Sequence, residues 1–210
     1  RPSRYSNEAS SLRPLAGVVV PIRGFSGGKS RLSDLGPERA WLVAEMASRV
    51  LAAAGPLPVA VVTSAREVRA WAASSGVVVL DDPGSLDLAA LAGVAWVRSL
   101  GLPRAVVAHA DLPLARSLEA LARDAGRPLV AAVPCHRDDG TPVLSVPTEV
   151  AFRFAYGPDS FRRHAAEARR LGLGFRVVRD PALAHDVDAA EDLAGIGLLA
   201  PDPRPASALG

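Results

Sequence analysis

The chain's 210 residues are enough for one sizeable core and too few for two. A net charge of +2, with no basic run interleaved with aromatics, argues against a nucleic-acid binder, and the longest apolar stretch falls well short of the ~20 residues of a membrane helix. The single cysteine, Cys135, allows no internal disulfide and the N-terminal "RPSRYSNEASSLRP" holds no hydrophobic segment, so the expected compartment is the cytoplasm.

In chain order, residues 1–13 read as a flexible segment, 14–199 as one folded domain and 200–210 as a flexible, Pro-rich tail. "GVVVPI" (17–22) opens the domain as a buried strand. A Gly-rich loop follows, and then the helix "PERAWLVAEMASRVLAAAG", with Leu42, Val43, Met46, Val50 and Leu51 on one face. Strands are predicted at 58–64, 76–80, 104–110, 128–134 and 174–180. Between them lie helices in "REVRAWAASSG", "LDLAALAGVAWVRSLG", "SLEALARDAG" and "DSFRRHAAEARRLG", and a last helix is expected from about Ala189. The segment 138–147 offers a tight turn at Gly140 beside the Thr141 hydroxyl. Strands alternating with helices imply a mostly parallel sheet covered on both faces.

The loop after the first strand reads "PIRGFSGGKSRL". A phosphate-binding P-loop needs Gly, four free positions and then Gly-Lys-Ser, but five residues before Gly28 stands Arg23. The following helix also starts late, near Pro37. What remains is a long basic loop carrying Arg23, Lys29 and Arg31, suited to wrapping a triphosphate. Of the 24 basic residues, 23 are Arg and one is Lys, and that one is Lys29. A compact ammonium is not interchangeable with a guanidinium, which singles Lys29 out.

Open α/β sheets bind ligands beyond the carboxyl ends of their strands. "AHADLP" puts Asp111 there, and "AHDVDAAEDL" supplies Asp186 and Asp188, two apart and able to face one ion. Converging carboxylates without Cys or His spacing suit a hard cation such as Mg²⁺; alternatively Asp188 caps a helix and Asp111 is a turn residue. Gly157, Pro158 and Ser160 open a helix, where free N–H groups favour a phosphate or carboxylate, or form a simple cap. The four histidines show no metal-like spacing: His109 reads as a core or strand-end residue and His164 as a helix-face residue. Cys135 reads as a small buried thiol or loop residue.

Taken in order, "VVPIRGFSGGKSRL", "HADLP", "DDGTPVL", "YGPDSFRRHAAEARRLG" and "HDVDAAEDL" resemble the 2-phospho-L-lactate / phosphoenolpyruvate guanylyltransferase family of coenzyme F-420 biosynthesis, from about Gly17 to Leu198. The resemblance implies a single-domain, three-layer α/β/α nucleotidyltransferase fold, glycosyltransferase-A-like and Rossmann-like, with a mostly parallel mixed sheet. It implies transfer of GMP from GTP to a phosphorylated three-carbon acid, phosphoenolpyruvate or 2-phospho-L-lactate, with release of pyrophosphate. Asp111, Asp186 and Asp188 would be Mg²⁺ ligands, and Thr141, Gly157 and Ser160 would hold the acid. Lys29, with Arg23 and Arg31, would grip the GTP phosphates, Lys29 and Asp111 would be the catalytic pair, and a homodimer is the implied assembly. The chain departs from the family at Arg23 (often Lys), Pro142 (often Asn) and Asp87 (often Asn). The competing readings are another nucleotidyltransferase, of molybdopterin or sugar-phosphate type, and a non-catalytic nucleotide-binding module.

Overall fold

The first strand, β1 (Ala16–Pro21), has a valine-rich sequence with no polar alternation, as a strand buried on both faces requires. The computed structural model describes residues 15–25, 38–187 and 192. In it β1 is the middle of a segment in which β2 (Val59–Val62), β3 (Val78–Leu80) and β4 (Arg104–Ala108) run parallel to it. The full sheet has seven strands in the order β3-β2-β1-β4-β6-β5-β7. β6 (Val143–Pro147) is antiparallel to both neighbours, β4 and β5 (Leu129–Val133), with Leu144 opposite Val107 and Ala132. β7 (Gly174–Val177) pairs parallel to β5 at the far edge.

Helices cover both faces, giving three layers. Val18 and Val20 point to the face packed by α1 (Glu38–Ala53), α2 (Arg66–Ser74), α4 (Glu119–Ala122) and α6 (Pro181–Ala184), where Val50, Val68, Leu121 and Leu183 are buried. Val19, Ala105 and Val107 point to the opposite face, under α3 (Leu86–Ser99) and α5 (Ser160–Arg170). α3 lies so close to β1 that a Cβ on Gly93 would fall 2.0 Å from a Val19 methyl, which fixes where its N-terminal turn sits. No helix among the described residues is long and apolar enough to cross a membrane.

The expected strands and the mixed, mostly parallel α/β/α arrangement are present. Three local features differ. Residues 143–147, expected only as the sequel to a turn, form the antiparallel β6. Pro142, Pro147 and the central Ser145 disguise this strand, yet Ser145 is satisfied inside the sheet: it donates to Leu121 O at 2.7 Å and accepts from Arg104 at 3.1 Å. The Arg104 guanidinium is fully buried, also donating to the Arg127 and Leu129 carbonyls, and burial pulls its pKa down to about 10 although Asp124 opposes the shift. The helix expected in "SLEALARDAG" is a single turn, α4. A further turn, α6, precedes the second acidic cluster, capped by the Asp180 carboxylate on Ala182 N at 2.9 Å. The helix expected from Ala189 and the flexible ends 1–13 and 200–210 lie outside the described residues.

Candidate active site

At the carboxyl ends of β1 and β4 a cleft of about 440 Å³ opens, where an α/β sheet is expected to bind its ligand. Ile22 N–H continues the β1–β2 ladder by donating to Val62 O at 2.9 Å, so the chain leaves the sheet at Arg23 and Gly24, both lining the cleft. Phe25 anchors this exit. Its ring meets Trp71 edge-on at 5.3 Å, and its N–H donates to Glu67 at 3.4 Å. The Arg23 side chain is thereby left exposed at the mouth. Lys29 and Arg31 lie outside the described residues.

Asp111 and Asp186 both line this cleft, and Val187 N–H donates to the Asp111 carbonyl at 3.1 Å. Asp186 is further held by His136, whose Nδ1 lies 3.1 Å from its Oδ1 and whose ring stacks on His185 at 5.5 Å. The chain thus brings together two of the three expected carboxylates, while Asp188 lies outside the described residues. Among the described residues no three His, Cys, Asp or Glu side chains form a metal cage, so a cation there would need an additional ligand.

The opposite wall is the start of α5. Gly157 has φ +103° and Asp159 φ +56°, a left-handed pair that turns the chain sharply into the helix. Contrary to expectation, the Ser160 amide is not free: it closes onto Gly157 O at 3.1 Å, and Phe161 N–H donates to Asp139 O at 3.2 Å. Both amides are therefore spent within the protein, and Gly157 and Ser160 are the residues of this turn that line the cleft. Thr141 stands behind Ser160, almost fully buried and outside the cleft lining, with its Oγ1 3.1 Å from Ser160 Oγ.

His164 was expected on a helix face, and that face is internal. It is fully buried, with its Nε2 3.0 Å from Ala155 N and its Nδ1 3.1 Å from Thr141 Oγ1. The Tyr156 ring packs against it edge-on at 4.9 Å. Burial pushes the His164 pKa down to about 4, helped by the charges of Arg163 and His109. The signal was available: Ser160 and His164 are four apart and share one side of a helix.

Sequence reasoning also missed Arg39 and Tyr156. Both line the cleft, and among the described residues the buried Arg39 Nε, Tyr156 hydroxyl and His109 Nε2 have no hydrogen-bond partner. Three unpartnered polar atoms on one cleft mark it as built for a polar ligand. Burial, and then the Asp87 carboxylate, raise the Tyr156 pKa, keeping it a neutral donor. "AFRFAYG" carried a signal too, because Phe152, Phe154 and Tyr156 alternate toward one side, and Tyr156 stacks on Phe154. Cys135 is the small buried thiol expected, donating to Asp139 at 3.0 Å and accepting from Gly140 N at 3.1 Å.

A cleft lined by Arg23, Asp111 and Asp186 at the carboxyl edge of an α/β/α sheet suits a nucleotidyltransferase. The fold is matched by a nucleotidyl transferase from Methanothermobacter thermautotrophicus, with a TM-score of 0.60 at 20% identity over 85% of this chain and 94% of that one. The chain belongs to the family described as guanylyl transferase CofC like, whose model matches residues 16–204. Among its relatives, a phosphoenolpyruvate guanylyltransferase of Roseiflexus castenholzii is 37% identical, covering 84% of this chain and 85% of that one. A 3-phospho-D-glycerate guanylyltransferase of Phenylobacterium zucineum is 34% identical, covering 85% and 88%. The family resemblance and the enzyme class read from the sequence are borne out.

Proposed function

We propose that this chain transfers GMP from GTP to a phosphorylated three-carbon acid, with phosphoenolpyruvate the favoured acceptor. The observation that carries the reading is that Asp111 and Asp186, from distant parts of the chain, share one cleft with Arg23, Gly157 and Ser160. The relatives' names support the acceptor class, since one names phosphoenolpyruvate and another 3-phospho-D-glycerate.

In this reading a phosphate oxygen of the acid attacks the α-phosphorus of GTP. The bond from that phosphorus to the β-phosphate oxygen breaks, and pyrophosphate leaves. No covalent enzyme intermediate is needed, so the protein positions two polyanions and neutralises their charge. Arg23, with Lys29 and Arg31, grips the triphosphate, and Lys29 stabilises charge building on the leaving pyrophosphate. Asp111 and Asp186 offer hard oxygen donors that fit Mg²⁺, with Asp188 as third ligand. When bound, Mg²⁺ would offset repulsion between the phosphates. Ser160 and the Gly157 turn hold the acid, with Thr141 acting from behind Ser160. The lone, buried Cys135 supports a reducing, cytoplasmic setting.

Mass spectrometry of the products formed from GTP with phosphoenolpyruvate, 2-phospho-L-lactate and 3-phosphoglycerate in competition tests the reading. Guanylylated phosphoenolpyruvate is expected to dominate. Turnover only with CTP, UTP or another nucleotide would make this a different nucleotidyltransferase. Binding of GTP without pyrophosphate release would make it a non-catalytic module.

A further inference from the structure

We propose that His164 is a positioning residue which, through Thr141, fixes the Ser160 hydroxyl as a hydrogen-bond donor aimed into the cleft. That commitment restricts this part of the cleft to groups presenting lone pairs, such as the carboxylate or phosphate oxygens of the acceptor. The inference rests on the assignment of this wall to the acceptor.

The direction of the chain of bonds follows from its fixed end. Ala155 N–H can only donate, so His164 Nε2, 3.0 Å away, must carry a lone pair. A neutral imidazole then bears its proton on Nδ1, which donates to Thr141 Oγ1 at 3.1 Å. Protonating the ring would set a second N–H against that of Ala155. Burial among Phe152, Phe154 and Tyr156, and the nearby charges of Arg163 and His109, hold it neutral. Thr141 is almost fully buried, and its oxygen has two partners among the described residues, His164 and Ser160. Having accepted from the first, its hydroxyl donates to the second. Ser160 Oγ is therefore an acceptor toward Thr141, and its own proton is left for the cleft that Ser160 lines. The amide of Ser160 cannot take this part, because it is spent on Gly157 O.

Two near-isosteric changes separate the two ends of the ring. An Asn amide nitrogen sits near the position of Nδ1 and can still donate to Thr141. A Gln amide oxygen reaches the position of Nε2, accepts from Ala155 and leaves Thr141 without its donor. Steady-state kinetics with phosphoenolpyruvate and GTP should show His164→Gln raising the Michaelis constant for the acid roughly tenfold, as loss of a donor to a charged group implies, with that for GTP moved less than about twofold. His164→Asn should recover most of that loss. Thr141→Val, of similar shape, should mimic His164→Gln, and the double variant should add little to either single change. Equal damage by Asn and Gln, or a Gln variant that affects both substrates alike, would overturn the proposal. Ser160→Ala keeps the two failures apart. If it leaves the acid's Michaelis constant unchanged, the acceptor wall itself is misassigned. If it raises that constant while His164→Gln does not, only the relay is wrong.

Discussion

The Asp87 carboxylate accepts the Tyr156 N–H at 2.8 Å, a bond that joins residues 69 apart in sequence. It ties the first turn of α3, where Leu86 and Ala89 line the cleft, to the segment that enters α5 through Gly157. The α3 side of the cleft is thus fastened to the wall at the start of α5. Asp87→Ala leaves a part-buried donor without its partner, which should destabilise the fold by about 1–3 kcal/mol in urea unfolding. Asp87→Asn, which restores the residue common in the family and keeps an acceptor oxygen, should stay within about 0.5 kcal/mol of the wild type on the same curves.

His164 makes stability pH-dependent. Its folded pKa, about 4, lies below the ordinary 6.5, so between these values the unfolded chain holds the extra proton. The stabilisation is complete above pH 6.5 and is lost as the pH falls toward 4. The full swing is on the order of 3 kcal/mol for one group shifted this far. Urea midpoints measured from pH 7 down to 4 should fall more steeply for the wild type than for His164→Asn, whose amide does not titrate. Parallel curves would show that His164 is not the titrating group.

The carboxylate pair gives a prediction about metal. Turnover should vanish on chelation and return with Mg²⁺ or Mn²⁺. Asp111→Asn should abolish activity while leaving the melting temperature of the metal-free protein close to that of the wild type, because the amide keeps the side chain's shape and one acceptor oxygen. At Asp188 the two readings diverge: as a ligand its Asn variant is inactive and stable. As a helix cap its Ala variant stays active and loses about 1 kcal/mol.

Lys29 should matter for the chemical step and little for the fold. Lys29→Ala is expected to reduce turnover by roughly 2–4 kcal/mol of transition-state stabilisation, the size seen when a donor to a developing oxyanion is removed. Pyrophosphate release under saturating substrates measures it, and a variant that turns over at the wild-type rate takes Lys29 out of the mechanism.

Most of the fold was legible because valine-rich buried strands and 3.6-period helices are local signals. Each predicted strand reappears, the first shifted by one residue and the others trimmed by one to three residues at their ends. β6 was not legible, since its central Ser145 reads as polar until Arg104 and the Leu121 carbonyl are placed around it. Asp111 and Asp186 were singled out in the sequence and both line the cleft, Asp111 just past β4 as expected and Asp186 past the unexpected turn α6. Arg39 and Tyr156 were not singled out, since they reach the cleft only through packing between elements distant in sequence, with the Tyr156 backbone held by Asp87 of α3. Thr141 was picked out as a residue that holds the acid, but its place behind Ser160 depends on a side-chain relay that no spacing rule encodes.

The reversal of β6 also bears on how such a site can diversify. β1 and β4 bring their ends to the cleft, whereas β6 brings its beginning, so residues 139–142 reach the same edge from the opposite direction. This hairpin is tied at every residue: His109 N–H to Pro142 O at 2.9 Å, Phe161 N–H to Asp139 O at 3.2 Å, Cys135 to both Asp139 and Gly140, and Thr141 to Ser160 and His164. These bonds run to α5 and to His109 rather than to the β1 exit that carries Arg23, so a change in the hairpin is felt first at Ser160. On the proposed assignment of the Ser160 wall to the acid, descent within such a lineage would exchange one small acid for another through this hairpin, while the β1 exit is inherited intact.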